Sequence, residues 1–102
     1  MAVSLQVIYP TSDDTSFDYD YYTSSHMEIV DKHMGPYLQS TLVIKGLAGG
    51  PNMPPGSYVV ATLLFGDQAA FEAAIAASEP VMADIPNFTN CQPQILIGEV
   101  IG

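Results

Sequence analysis

The stretch SYVVATLLFGDQAAFEAAIAAS, residues 57–78, changes its hydrophobic period halfway along, and that change decides the fold class. SYVVATLLF is a strand, apolar on both faces. After Gly66, Asp67 suits an N-cap, and QAAFEAAIAAS follows as a helix whose alanines permit close packing on a sheet. Phe71, Ala74, Ile75 and Ser78 form its inner stripe.

Toward the N-terminus, AVSLQVIY is a strand with Val3, Leu5, Val7 and Tyr9 on one face and Ser4, Gln6 and Ile8 on the other. Pro10 stops it, and TSDDTS is a polar loop. Asp18 is the N-cap of a first helix, with Phe17 stapling its first turn and Asp20 at its positive end. That helix runs to about His33, where Gly35-Pro36 ends it. TLVIKGLAGG is a second strand loosened by Gly46, Gly49 and Gly50, and PNMPPG is a turn. On the other side, Glu79-Pro80 opens a short helical turn, VMADIP, and QILIGEVI is the last strand.

The order is βαββαβ, an α+β ferredoxin-like arrangement in one domain over residues 1–102, with a four-stranded antiparallel sheet and both helices on one face. Strands two, three and four carry apolar residues on both faces. The uncovered face therefore calls for a partner, most simply an identical chain, and two such sheets face to face make a dimeric α/β barrel.

The formal net charge is −9, from eleven acidic residues against two lysines and no arginine. Nucleic acid and anionic membrane are excluded as partners, since either needs clustered Lys or Arg. Without an arginine clamp, a small neutral, hydrophobic ligand is favoured over a phosphorylated one. The lone Cys91 allows no intramolecular disulfide. MAVSLQVIYP has neither a basic n-region nor a long apolar run, and no segment approaches the ~18 apolar residues of a membrane span, so a cytoplasmic protein is expected.

In FDYDYYTSSHMEIVDKH, residues 17–33, 100° per residue puts Tyr22, His26, Ile29 and His33 on one side, with Val30 at its edge. His26 is the candidate acid–base group, because imidazole both gives and takes a proton near neutrality. Tyr22, one turn earlier, is placed to share a substrate oxygen with it or to orient it. The structural alternative is a core histidine bonded to a carbonyl or a tyrosine. Ile29, Val30, His33 and Tyr37 are the expected pocket residues, and His33 also suits the helix C-terminus.

The two histidines sit two turns apart, roughly 10 Å along the axis, too far for one metal ion. No metal or organic cofactor is expected. Haem stays open, since it needs a single axial histidine, with Lys32 and Lys45 alone available to its propionates. Lys45 otherwise protects a sheet edge. Asp84, Asn87 and Asn90 are expected to pin their loop to backbone amides, and the methionines to fill the core.

Taken together, the opening strand ending in Tyr9-Pro10, FDYDYYTSSHM, KGLAGG, YVVATLLF, AAFEAA, MADIPNFTN and PQILIGEV resemble the EthD family, in the family's order, from about Val3 to Val100. The resemblance implies a dimeric α/β barrel. The founding member is encoded with an oxygenase system that degrades a fuel ether. Wider relatives include cofactor-free lactone isomerases, polyketide cyclases and dehydratases, quinol-forming monooxygenases and haem-binding enzymes. Many members carry His-x-Pro-Leu-Val, where this chain has His26-Met27-Glu28-Ile29-Val30; without the proline a straighter helix is expected. A methylmuconolactone isomerase is similar in its Tyr-x-x-x-His pair, here Tyr22 and His26, and adds a cysteine whose role is not carried over to Cys91. The resemblance does not choose among these; with His26 and Tyr22 it is compatible with a cofactor-free enzyme of the isomerase, cyclase, dehydratase or monooxygenase type acting on a small hydrophobic oxygenated compound. The alternative is a non-catalytic dimeric accessory of an oxygenase pathway.

Overall fold

A computed structural model describes residues 1–102. Four strands, β1 (Val3–Pro10), β2 (Ser40–Lys45), β3 (Ser57–Phe65) and β4 (Gln94–Glu99), form one sheet in the order β2-β3-β1-β4 with every pairing antiparallel. Helix α1 covers 19–33, α2 is Gln68–Ala76 and α3 is Glu79–Asp84, followed by a 3₁₀ turn at Ile85–Asn87. This is the ferredoxin-like α+β fold. Both expected caps form: Asp18 accepts from the Tyr21 N–H at 3.0 Å and Asp67 from the Ala70 N–H at 2.8 Å. Strand β2 ends earlier than expected, at Lys45. The backbone crosses so close there that a Cβ on Gly46 would lie 2.1 Å from the Ser57 carbonyl oxygen. No helix is long and apolar enough to cross a membrane.

The alternation in β1 sorts its side chains as expected. Val3, Leu5 and Tyr9 are buried under the helices with Val30, Met34, Leu63, Phe65, Phe71 and Ala74. The other face is open, and the register lays Leu42, Thr62, Gln6 and Leu96 in one row across it. Gln6 donates to Thr62 at 3.2 Å, while Leu42 and Leu96 at the two edges are 66% and 57% exposed. In α2, by contrast, Phe71 and Ala74 turn inward but Ile75 is half-exposed, because the helix does not reach over the outer strand β4.

Helix α1 departs from the expected straight rod. An α-helical turn at Tyr19–Tyr21 gives way to a π-helical turn at Tyr22–His26 before the α-helix Met27–His33. Within this stretch the Met27 N–H bonds to the Tyr22 carbonyl, five residues back. The polar run supplies the cause: Thr23 Oγ1 donates to the Tyr19 carbonyl at 2.9 Å and Ser24 Oγ to the Asp20 carbonyl at 2.6 Å, drawing those carbonyls from regular pairing. A wider turn brings residues four apart nearly into line. The buried stripe is consequently Tyr22, His26, Val30 and Met34, whereas Ile29 and His33 are only half-buried.

Candidate functional site

The π turn aims His26 into the molecule, where it is 3% exposed. Its ring stacks on Tyr22, with centroids 5.2 Å apart and planes at 25°, and meets Phe88 at 4.5 Å. Tyr22 therefore packs against the imidazole and makes no hydrogen bond to it. The orienting group comes from far along the chain: Nδ1 of His26 lies 2.9 Å from Oδ2 of Asp84. Oδ1 of that carboxylate accepts from the Tyr21 hydroxyl at 2.7 Å and from Asn87 Nδ2 at 2.9 Å.

This corrects the expectation that Asp84 and Asn87 pin a loop to backbone amides. Asn90 does hold the loop, accepting from the Ser16 N–H and donating to the Asp14 carbonyl. A signal for Asp84 was present: it ends α3, where the helix's negative pole disfavours a carboxylate. An acid at such a place needs donors from elsewhere, and α1 supplies two of the three.

Electrostatics set the protonation states. Burial pushes the Asp84 carboxyl up, but the hydrogen bonds from Tyr21, Asn87 and His26 together bring it below its ordinary value. Burial lowers the His26 pKa, and the bond to Asp84 offsets this only in part. Near neutrality the pair is thus a carboxylate and a neutral imidazole. Nδ1 donates, and Nε2 keeps its lone pair. Burial raises the Tyr22 phenol to about 12, raises Tyr9 further, and raises the Cys91 thiol.

Three polar atoms here have no partner in the chain: Nε2 of His26 and the hydroxyls of Tyr9 and Tyr22. Every fully enclosed side-chain nitrogen or oxygen is hydrogen-bonded, so each of these three reaches open space. All three residues line one small cavity of about 30 Å³, walled by Val7, Met27, Val30, Ala61 and Leu63 among others. Of the pocket residues expected from sequence, Val30 lines it. Ile29 packs beside the core under α1, His33 lies at the helix end, and Tyr37 is 38% exposed, all away from that cavity. The space is far too small for a haem, and Lys45 sits 4.2 Å from the centroid of the Tyr19 ring. No group of three or more His, Cys, Asp or Glu is placed to hold a metal ion.

The depressed His26 pKa has a consequence for stability. An unfolded histidine takes up its proton near pH 6.5, and the folded one does so lower. Between those two values the unfolded chain binds more protons, so stability is lost as pH falls through the window. Asp84 adds a further loss below about pH 3.9. The denaturant midpoint is expected to drop from about pH 7 to about pH 5 in the wild type, and less steeply in His26→Leu. Equal slopes in the two proteins would refute the depressed value.

No family model and no curated protein matches the chain. Solved structures do. An EthD-like protein of Ralstonia eutropha is 29% identical over 99% of this chain and 93% of its own, with a TM-score of 0.88. An EthD family protein of Bacillus halodurans is 20% identical over 99% of this chain and 100% of its own, with a TM-score of 0.77. SnoaB, a cofactor-independent oxygenase of Streptomyces nogalater, shares the fold at 10% identity and a TM-score of 0.62, over 98% of this chain and 95% of its own. In fold and in segment order the chain is similar to these EthD-like proteins, the Ralstonia one above all.

Proposed function

We propose that the protein is a cofactor-free acid–base enzyme acting on a small, hydrophobic, oxygenated compound, of the isomerase, cyclase or dehydratase type. One observation carries this: His26 is held through Nδ1 by a buried carboxylate, while Nε2 is unpartnered and the ring lines an apolar cavity. In that state Nε2 is a base for a proton next to a carbonyl, and the imidazolium returns the proton at a second carbon or to a departing hydroxyl. Asp84 is a positioning residue: it fixes the tautomer and stabilises the imidazolium once formed. Tyr22 and Tyr9 stay protonated through the physiological range and donate hydrogen bonds to the oxygen on which charge develops. Proton removal from a quinol by the same nitrogen would also open oxygen chemistry, so quinols belong among the trial substrates. The working unit is a homodimer joined through the open sheet face.

The test is turnover of lactones, quinols and polyketide-like rings by wild type, His26→Gln and Asp84→Asn. His26→Gln is expected to lose about 10²–10⁴ in rate, the usual worth of a general acid–base group. Asp84→Asn is expected to lose activity with a shifted pH profile, because an amide can hold the wrong tautomer. An undiminished rate in His26→Gln overturns the assignment. Ligand binding without turnover in any of these classes favours the non-catalytic accessory.

A further inference from the structure

The cavity at His26, about 30 Å³, has room for a water or two and for no ring. A ligand that brings an oxygen to Nε2 must therefore extend elsewhere, and the structure offers one continuation. A groove of about 230 Å³ runs between α2–α3 and the outer strand β4, sharing Val7, Leu63, Val81 and Met82 with the cavity. Its lining is otherwise apolar apart from Ser78, whose hydroxyl donates to the Ile75 carbonyl at 2.8 Å. Ile75, Ile95 and Ile97 stand half-exposed along it. The two β4 isoleucines point to the helix side of the sheet, so a partner covering the open face leaves them bare. Met82, a flexible thioether 48% exposed, is part of the shared wall, and its rotation would merge the two spaces.

We infer that this groove seats the ring and hydrocarbon chain of an elongated amphiphile, an alkyl-substituted phenol, ketone or lactone, whose oxygen alone reaches toward His26 past a turned Met82. Polarity along the two adjoining spaces matches such a molecule end to end. The inner cavity is lined by His26, Tyr9 and Tyr22, each with a polar atom unpartnered in the chain, and no charged group lines the groove. The placement of the oxygenated end rests on the acid–base reading of His26, whereas the hydrocarbon end does not.

Calorimetric titration with a series of 4-alkylphenols, from phenol to 4-hexylphenol, separates the two. In the wild type, affinity is expected to rise about fourfold per added methylene as the chain fills the groove. Ile75→Glu, at an exposed helix position where glutamate is well tolerated, is expected to flatten that dependence and leave phenol itself unchanged. His26→Gln is expected to weaken every member by one common factor and keep the dependence. No dependence on chain length, the same dependence in Ile75→Glu, or no binding by any member overturns the groove assignment. A preserved dependence with no effect of His26→Gln keeps the groove and removes the acid–base reading instead.

Discussion

With Leu42 and Leu96 both changed to glutamate, the protein is expected to sediment as a monomer at tens of micromolar, where the wild type is expected to dimerise. The two leucines flank the Gln6–Thr62 pair in one row across the open face, with Ile44, Val60 and Ile8 in the row beside it. Nothing in the chain covers that face, and a surface so apolar is stable in water chiefly when paired. Where this face pairs with its own copy, both leucines of each chain enter the interface, so the double variant would bury four carboxylates without partners. Each such charge costs several kcal/mol, enough together to weaken association by roughly a thousandfold or more. Both side chains are mostly exposed in the single chain, so the fold itself should survive. Sedimentation equilibrium reads the outcome directly. A wild type that stays monomeric at tens of micromolar, or a variant that still dimerises, would reject this face as the interface.

The second large effect is thermodynamic. His26→Leu strands Oδ2 of a buried carboxylate, and Asp84→Leu strands the Nδ1–H of a buried imidazole, so each alone is expected to cost about 2 kcal/mol. The double variant His26→Leu with Asp84→Leu strands neither. Tyr21 and Asn87 are open enough to turn to water. Replacing a buried polar pair by packed hydrocarbon is often neutral or stabilising, so the double variant should recover most of what either single variant loses. Denaturant midpoints of all four proteins close the cycle. Recovery would mean that the pair is kept at no benefit to stability, as a functional site tolerates. A double variant that loses as much as either single variant would instead make the pair a structural one.

The His26–Asp84 pair also marks where sequence stopped and tertiary structure began. The strands, the two capped helices, the βαββαβ order and the apolar open face were legible along the chain. Each follows from interactions within a few residues: alternation in β1, Asp18 and Asp67 over their own helix starts, Gly35-Pro36 closing α1. That His26 turns inward was legible for the same reason. Its partner was not, because Asp84 lies 58 positions away and its contact exists only once α3 docks against α1. Tyr22, adjacent on the helix, looked like the orienting group and instead stacks on the ring.

The π turn was missed because it comes from Thr23 and Ser24 hydroxyls competing for carbonyls, whereas a fixed 100° wheel assumes the regular bond. That single irregularity moved Val30 to the centre of the stripe and Ile29 and His33 to its margin. The groove beside β4 had no signature in the chain, since it is space left between elements. Periodicity and capping, being local, determined which elements form and which faces are apolar. The partner of His26, the helix's irregular turn and the room for a ligand depend on how the elements dock, which only the folded chain decided.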